Sequence, residues 1–482
     1  MKFYIKKANS IEGLPSVIVL ADNPSNLPGE LLTQDEINYI NNQFDNQNKS
    51  QFEFNKFTRW IYIQFLNLEE NTPFKRAEKL RKAGDTLASA LNEQKSESVT
   101  LLDCLTDSNA AYYLLEGLAL GSYQFLKYQT KAEEKRNTLK EVSIISRVIT
   151  QATIDKLNHI VDAVWMARNL VNEPNSTLTA TRLADALCEM AHKAGIKVEV
   201  FNQNKIEALK MGGLLAVNRG SEEPATFTVM EYNPQDAVNK QPLVLVGKGI
   251  VFDTGGNSLK PTSAMKTMKS DMAGAAVAGT TLYAVAQAHL PIYVIALIPA
   301  TDNRINSHAL VPDDIVTISD GTTVEILNTD AEGRLILADA LAYAKKYDPM
   351  LVIDLATLTG SATAAIGSVG AVAMHVASDN YFETLSDCGF KVNERLVPFP
   401  MWDDYAEMIK SDIADIKQSG GKYAGSITAA KFLEHFTDYP WIHIDMAGTA
   451  FTEKRDSYRG LGGTAFGVRL LFDFIKELSE DN

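Results

Sequence analysis

Along the later part of the chain, nearly unbroken apolar runs alternate with helical patterns, and this alternation most narrows the folds open to it. Thr226–Tyr232, Leu243–Val246, Ile292–Ile298, Met350–Leu355 and Trp441–Asp445 are β-rich apolar runs, and Leu290 to Ala300 is the longest clean one. Gly274–His289, Leu335–Tyr347, Ile427–Phe436 and Gly462–Leu478 read as helices between or after them. Strands apolar throughout must be covered on both faces, so the pattern predicts an α/β fold whose sheet carries helices on both sides. Upstream, a long helical pattern from about Thr150 to Val171 could link two domains. It is stopped by Asn172-Glu173-Pro174, because a proline ring disfavours a helical residue before it. A helix at about Thr179–Ala194 and a strand at Lys197–Phe201 follow.

Residues 1–150 read as a separate α/β domain, leaving 151–482 for the second. Ser16–Ala21 and Arg59–Leu66 read as strands, Phe74–Leu91 as an amphipathic helix, and Asp107–Tyr128 as a helix whose small residues predict close packing. Gln129–Asn137 is charged and reads as a solvated connection. No motif of chemistry falls in this portion. It carries 18 Lys and Arg against 19 Asp and Glu, so −13 of the formal charge of −14 lies in the remainder. An acidic chain with a near-neutral first domain argues against general nucleic-acid affinity. The acidic remainder suits a site for multivalent cations. Cys104, Cys188 and Cys388 are odd in number and without a CxxC, as expected of small buried hydrophobes in a reducing compartment. The Ser16–Ala21 run is too short for a signal-peptide core, and no stretch approaches the ~20 apolar residues of a membrane span. The expected location is the cytoplasm.

Two stretches carry the chemistry. In Val324–Asp339 a β-branched run enters a turn holding Asp330, Glu332 and Arg334, then leaves as a helix. Strand-to-helix junctions are where α/β proteins place reactive groups, although such a cluster can also cap a helix and bind nothing. In Val246–Ala276 a strand ends and a glycine-rich run follows, with Lys248, Asp253, Lys260 and Asp271 ahead of a small-residue helix. Neither GxxxxGK[ST] nor GxGxxG is present, so a phosphate loop is not supported. Asp253, Asp271, Asp330 and Glu332 together form the ligand set that hard or borderline divalent cations want. Two ions sharing carboxylates are a known hydrolytic arrangement. Without metal, four converging carboxylates would repel one another and their pKa values would rise. A lysine could join them only as a neutral amine. The seven histidines include no HExxH pair, and His443 reads as a satisfied core residue. No GxSxG elbow supports a serine nucleophile.

These residues are similar to those of a known family. Gly-Lys-Gly-Ile-Val-Phe-Asp-Thr-Gly-Gly at 247–256, Met-Lys-x-Asp-Met-x-Gly-Ala-Ala at 268–276 and Asn-Thr-Asp-Ala-Glu-Gly-Arg-Leu at 328–335 resemble the leucyl aminopeptidases, the cytosol aminopeptidases. Asp-Leu-Ala-Thr-Leu-Thr-Gly at 354–360 and His-Ile-Asp-Met-Ala-Gly-Thr at 443–449 add to the likeness, which extends weakly from about Asn169 to the C-terminus. The resemblance implies a macro-like N-terminal α/β domain and a catalytic domain with a mixed sheet flanked by helices, assembled as a homohexamer. It implies a dinuclear site, with Lys248, Asp253, Asp271 and Glu332 on the tighter ion and Asp253, Asp330 and Glu332 on the exchangeable one. Zinc or manganese, and also magnesium or cobalt, would fill it. Lys260 and Arg334 would be the catalytic pair, Arg334 holding a bicarbonate that acts as general base. Met268, Thr357 and Gly360 would lie at the side-chain pocket, favouring leucine or another medium apolar residue at the free N-terminus of a short peptide.

The chain departs from the family pattern at Asn257, where an aliphatic residue is common, and at Thr301–Ser307, which replaces the usual Glu-Asn-x-x-Ser-Gly turn; neither is expected to touch a ligand position. Two other readings compete with a metal-dependent exopeptidase: a DNA-binding regulatory or architectural protein, and a non-catalytic scaffold. The second would need a lost ligand, and none of the seven expected site residues is missing.

Overall fold

The computed structural model describes residues 3–13, 15–66, 72–105 and 109–480, and it divides the chain into two compact units. One comprises Met1–Val161 with Lys454–Gly460, the other Asp162–Glu453 with Leu461–Asn482.

The first unit holds six strands: β1 (Tyr4–Lys7), β2 (Ser16–Ala21), β3 (Gln51–Asn55), β4 (Trp60–Phe65), β5 (Ser98–Asp103) and β6 (Glu141–Ile145), in the order β1-β6-β5-β2-β4-β3. All neighbours are parallel except β3 and β4. Strand β2, buried at every residue, sits mid-sheet, as its unbroken apolar run requires. The expected helix at Asp107–Tyr128 is confined to Ala110–Gly121, and Asp107 lies outside the described residues. Its small residues pack as predicted: a Cβ on Gly117 would lie 1.9 Å from the Arg81 carbonyl oxygen of the facing helix Pro73–Glu93.

The second unit is built on β7 (Lys197–Phe201), β8 (Thr226–Tyr232), β9 (Leu243–Gly247), β10 (Gly249–Asp253), β11 (Val294–Asn303), β12 (Ile315–Thr317), β13 (Thr323–Glu325), β14 (Leu351–Ala356), β15 (Ala371–Val376), β16 (Leu396–Pro398), β17 (Ile416–Lys417) and β18 (Trp441–Asp445). Nine of these form a mixed sheet in the order β16-β15-β18-β14-β9-β11-β8-β7, with β10 also on β11. Strands β18, β14, β9, β11 and β10 run parallel, while β8 and β15 are antiparallel to the block they flank. Helices cover the sheet; Ala273–Gln287, buried from Ala273 to Ala286, is one of them. Among the described residues no helix is long and apolar enough to cross a membrane.

Three expectations change. The run from Gly249 to Asp253, read as loop, is a strand, because the ten-residue β11 takes β9 along Val294–Leu297 and then β10 along Ala300–Asn303. The strand before the acidic turn is only Thr323–Glu325 and belongs to a small separate sheet, β12-β13-β17. The last helix begins at Val468 rather than Gly462, since Gly460–Gly463 is extended. The Glu394 carboxylate accepts the Gly467 and Leu470 N–H groups at 2.9 and 3.0 Å, fixing the helix start there.

Candidate metal centre and active site

Open α/β sheets place ligands outside the carboxyl ends of their parallel strands. The singled-out residues meet at that edge. Lys248 follows β9, Asp253 ends β10, Asn303 ends β11, Thr357 follows β14 and Asp445 ends β18. A register shift between Ile250 and Asp253 breaks the even pairing of β10 with β11 just before the carboxylate.

The glycine-rich loop and the acidic turn clasp each other. Ser258 N–H donates to Thr329 Oγ1 at 2.7 Å, Thr329 N–H donates to Ser258 Oγ at 3.1 Å, and the Thr329 hydroxyl donates to the Gly255 carbonyl at 2.6 Å. Within the turn, Asp330 N–H donates to Asn328 Oδ1 at 2.9 Å, an Asx turn just ahead of the two carboxylates. Glu332 then sits at the start of the helix Gly333–Ala344.

Lys248 Nζ lies 2.8 Å from each Asp271 oxygen, 3.1 Å from Glu332 Oε1 and 3.0 Å from the Thr357 carbonyl. Lys260 Nζ lies 2.8 Å from Asp253 Oδ2 and 2.5 Å from Asp330 Oδ1. Oxygens of Asp253, Asp330 and Glu332 fall within 4.8 Å of one another. Gly333 makes room for this: a Cβ there would come 2.4 Å from Lys248 Cε. All seven site residues expected from the motifs are therefore brought together, Arg334 through Glu332 and the first helical turn. Thr357 joins them by donating its hydroxyl to Asp271 Oδ1 at 2.7 Å, and Met268 by accepting Asp271 N–H at 3.3 Å on its carbonyl. Gly360 opens the helix Gly360–Ile366 behind Thr359, which Asp445 anchors at 2.6 Å.

Four carboxylates against two ammonium groups leave the cluster at −2, and most of it is buried. Burial, aided by Glu332, pushes Asp253 up to about 6. Burial also raises Asp271 well above its ordinary value, and raises Asp330. Burial works the same way on Glu332, but Lys248 and Lys260 outweigh it and hold its pKa below the ordinary value. Burial alone would lower Lys248 and Lys260; the neighbouring carboxylates, Asp271 first for Lys248 and Asp253 first for Lys260, raise both. Asp271 Oδ2 and Asp330 Oδ1 are buried and touch an ammonium group, yet neither accepts a directional hydrogen bond. Buried carboxylate oxygens left this way fit a cation, which needs proximity rather than a donor hydrogen. The Arg334 side chain donates from Nη1 to the Gln418 carbonyl at 2.7 Å, its Nε is unpartnered, and burial lowers its pKa to about 10.

Sequence reasoning missed two neutral amides here. Asn303 Nδ2 donates to Asp253 Oδ1 at 2.9 Å and to the Thr329 carbonyl at 3.0 Å, so the Thr301–Ser307 departure does touch Asp253, one of the expected ligands. Asn257 turns away to the Leu310 carbonyl, as expected. Gln418, buried, bonds both sides of the acidic turn. His443 is only half satisfied: Nδ1 meets Asp354 Oδ1 at 2.6 Å, while the buried Nε2 has no partner.

Comparison with known proteins places this geometry in context. Residues 165–472 match the model of the cytosol aminopeptidase family, catalytic domain. The chain is 43% identical over 429 residues to a probable cytosol aminopeptidase of Chlorobium limicola, covering 84% of each. It is 37% identical over 491 aligned positions to one from Clostridium perfringens, covering 98% of each. Among solved structures, it resembles a mutant of tomato leucine aminopeptidase with a TM-score of 0.85 and 27% identity, covering 99% of this chain and 97% of that one. The bottromycin maturation enzyme BotP in complex with Mn matches with a TM-score of 0.84 and 28% identity over 96% and 99% of the two chains.

Proposed function

The chain belongs to the cytosol aminopeptidase family and is an aminopeptidase, and on that premise we propose that it removes medium apolar residues such as leucine from peptide N-termini at a two-metal site. The observation that carries the reading is the buried −2 cluster, with two carboxylate oxygens that accept no hydrogen bond. Lys248, Asp253, Asp271 and Glu332 would hold the tighter ion, and Asp253, Asp330 and Glu332 the exchangeable one. Two divalent cations, with zinc or manganese preferred over magnesium or cobalt, would supply polarisation of the scissile carbonyl, an anchor for the free amine and an acidic attacking water.

The chain's own residues do the rest. Lys260 enters the cluster from the glycine-rich loop and keeps its proton, so it can donate to oxygen as negative charge develops on the carbonyl. Among the described residues no carboxylate forms an ion pair with Arg334, though Glu332 and Asp445 lie near it, and its Nε is unpartnered, which leaves its guanidinium able to hold a small anion such as bicarbonate as proton acceptor. That role accounts for a site without a histidine or glutamate placed as base. Thr357, fixed by Lys248 and Asp271, sets the wall where the substrate's first side chain would lie, with Met268 and Gly360.

Hydrolysis of leucine 4-nitroanilide with added Mn²⁺ or Zn²⁺ tests the reading. Exhaustive chelation should abolish it, and Glu332→Ala should lower kcat by more than about a hundredfold, because even partners behind a ligand cost 10–100-fold. Full activity in either case would sink the two-metal reading.

A further inference from the structure

Gln418 lies 84 residues beyond Arg334, directly after β17, and is fully buried. Each of its polar groups is used. Its N–H donates to the Glu325 carbonyl at 2.9 Å, extending the β13–β17 pairing. Its side-chain amide donates from Nε2 to the Ala331 carbonyl at 2.9 Å, and its Oε1 accepts Asn328 N–H at 3.2 Å. Its own carbonyl accepts Arg334 Nη1 at 2.7 Å. One residue thus bridges the acidic turn in both directions and holds the arginine beyond it. Only a terminal amide of this length offers a donor and an acceptor together. Glutamate would set a carboxylate against the Ala331 carbonyl, and methionine would fill the space with no polar atom.

We propose that Gln418 is a positioning residue whose side chain sets the Asn328–Ala331 turn, and with it the aim of Asp330 and Glu332, so that metal affinity and turnover depend on one side chain outside the ligand set, while its backbone carbonyl holds Arg334. This rests on the reading that Asp330 and Glu332 hold metal. It predicts that the two properties fail together while substrate binding does not.

The test uses the full chain with Gln418→Met, Gln418→Glu and, as a neighbour on β17 outside the site, Lys417→Met. Mn²⁺ affinity is measured by spin-resonance titration of the free ion, kcat and KM with leucine 4-nitroanilide at saturating Mn²⁺, and Tm on the metal-free protein. Both Gln418 variants should bind Mn²⁺ about tenfold more weakly and lose about tenfold in kcat, with KM within about twofold and Lys417→Met unchanged. Should Gln418→Met fail to fold, the near-isosteric Gln418→Glu decides alone. Wild-type Mn²⁺ affinity and kcat in the folded Gln418 variants would overturn the proposal, as would a loss confined to Tm. Glu332→Ala run alongside separates the two ideas. If it too keeps Mn²⁺ and activity, the site reading has failed; if it loses both while Gln418 variants stay normal, only the role of Gln418 has.

Discussion

Buried ionisable side chains in this protein divide by whether a counter-charge meets them. Lys248 is buried against Asp271 and Glu332. Asp339, on the helix that Glu332 begins, has no such partner among the described residues: its oxygens accept the backbone N–H groups of Leu214 and Ser319, each at 2.8 Å, with the Gly213 N–H and the Ser319 hydroxyl beside them. Burial, its main perturbation, pushes its pKa up to about 7. An unfolded aspartate ionises near 3.9. As pH rises from about 4 to about 7 the unfolded chain therefore gives up this proton first, so the native state binds more protons and stability falls across that window. Asp339→Asn keeps one acceptor oxygen and leaves a buried N–H unpaired, costing roughly 1–3 kcal/mol, but it no longer titrates. Thermal unfolding should show the variant below wild type at pH 5 and the gap narrowing by pH 8. A gap of constant size would mean that Asp339 does not titrate in this range. The charged members of the candidate metal site were legible in sequence because glycines and element ends surround them. Asn303 and Gln418 were not: they are neutral amides tens of residues away, and only folding brings them to Asp253 and Arg334.

Close approaches at glycine hold the elements to the site. The helix Ala273–Gln287 lies against β9 and β14, where Ala275 N–H donates to the Lys248 carbonyl at 2.9 Å. A Cβ on Gly274 would stand 2.0 Å from the Leu355 carbonyl oxygen, a backbone atom that cannot step aside. Gly279, five residues further along, would meet the tip of the Leu187 side chain at 2.4 Å, which can rotate. The two glycines should thus answer the same substitution differently. Gly274→Ala should cost about 3 kcal/mol in urea unfolding and weaken Mn²⁺ binding, because the helix must shift and Asp271 precedes its start. Gly279→Ala should cost under about 1 kcal/mol, repacking being offset by alanine's higher helix propensity. Equal losses would refute the close-packing argument. Most strands and helices were legible at this scale, since long apolar runs leave few alternatives. Strand β10 was not, because its five residues lie among glycines and lysines and it owes its pairing to the extra length of β11. The last helix was read as starting too early, with the small residues from Gly462 to Gly467 taken into its pattern, because the Glu394 carboxylate that caps the true start lies far away in sequence.

At the scale of the molecule, chemistry and charge are segregated together. Every residue expected at the site falls in the unit of Asp162–Glu453 and Leu461–Asn482, and −13 of the −14 formal charge lies beyond residue 150. On the proposed reading, divalent cations bind in that unit and offset its charge there. A ligand that binds the native state alone stabilises it by mass action, by about 2.7 kcal/mol at a hundred times its Kd. The stabilisation reaches those amides whose exchange requires opening of the binding unit. Hydrogen exchange followed by mass spectrometry, with and without Mn²⁺, should therefore slow in peptides spanning 243–276 and 323–344. Peptides spanning 16–65, on strands with no site residue, should keep their metal-free rates. Glu332→Ala should erase the slowing at 243–276 as well as at 323–344, since on the proposed reading both stretches supply ligands to the same cluster and neither completes it alone. Protection spread evenly over both units would mean that metal stabilises the chain as one cooperative body, and protection limited to 323–344 would mean that the glycine-rich loop supplies no ligand.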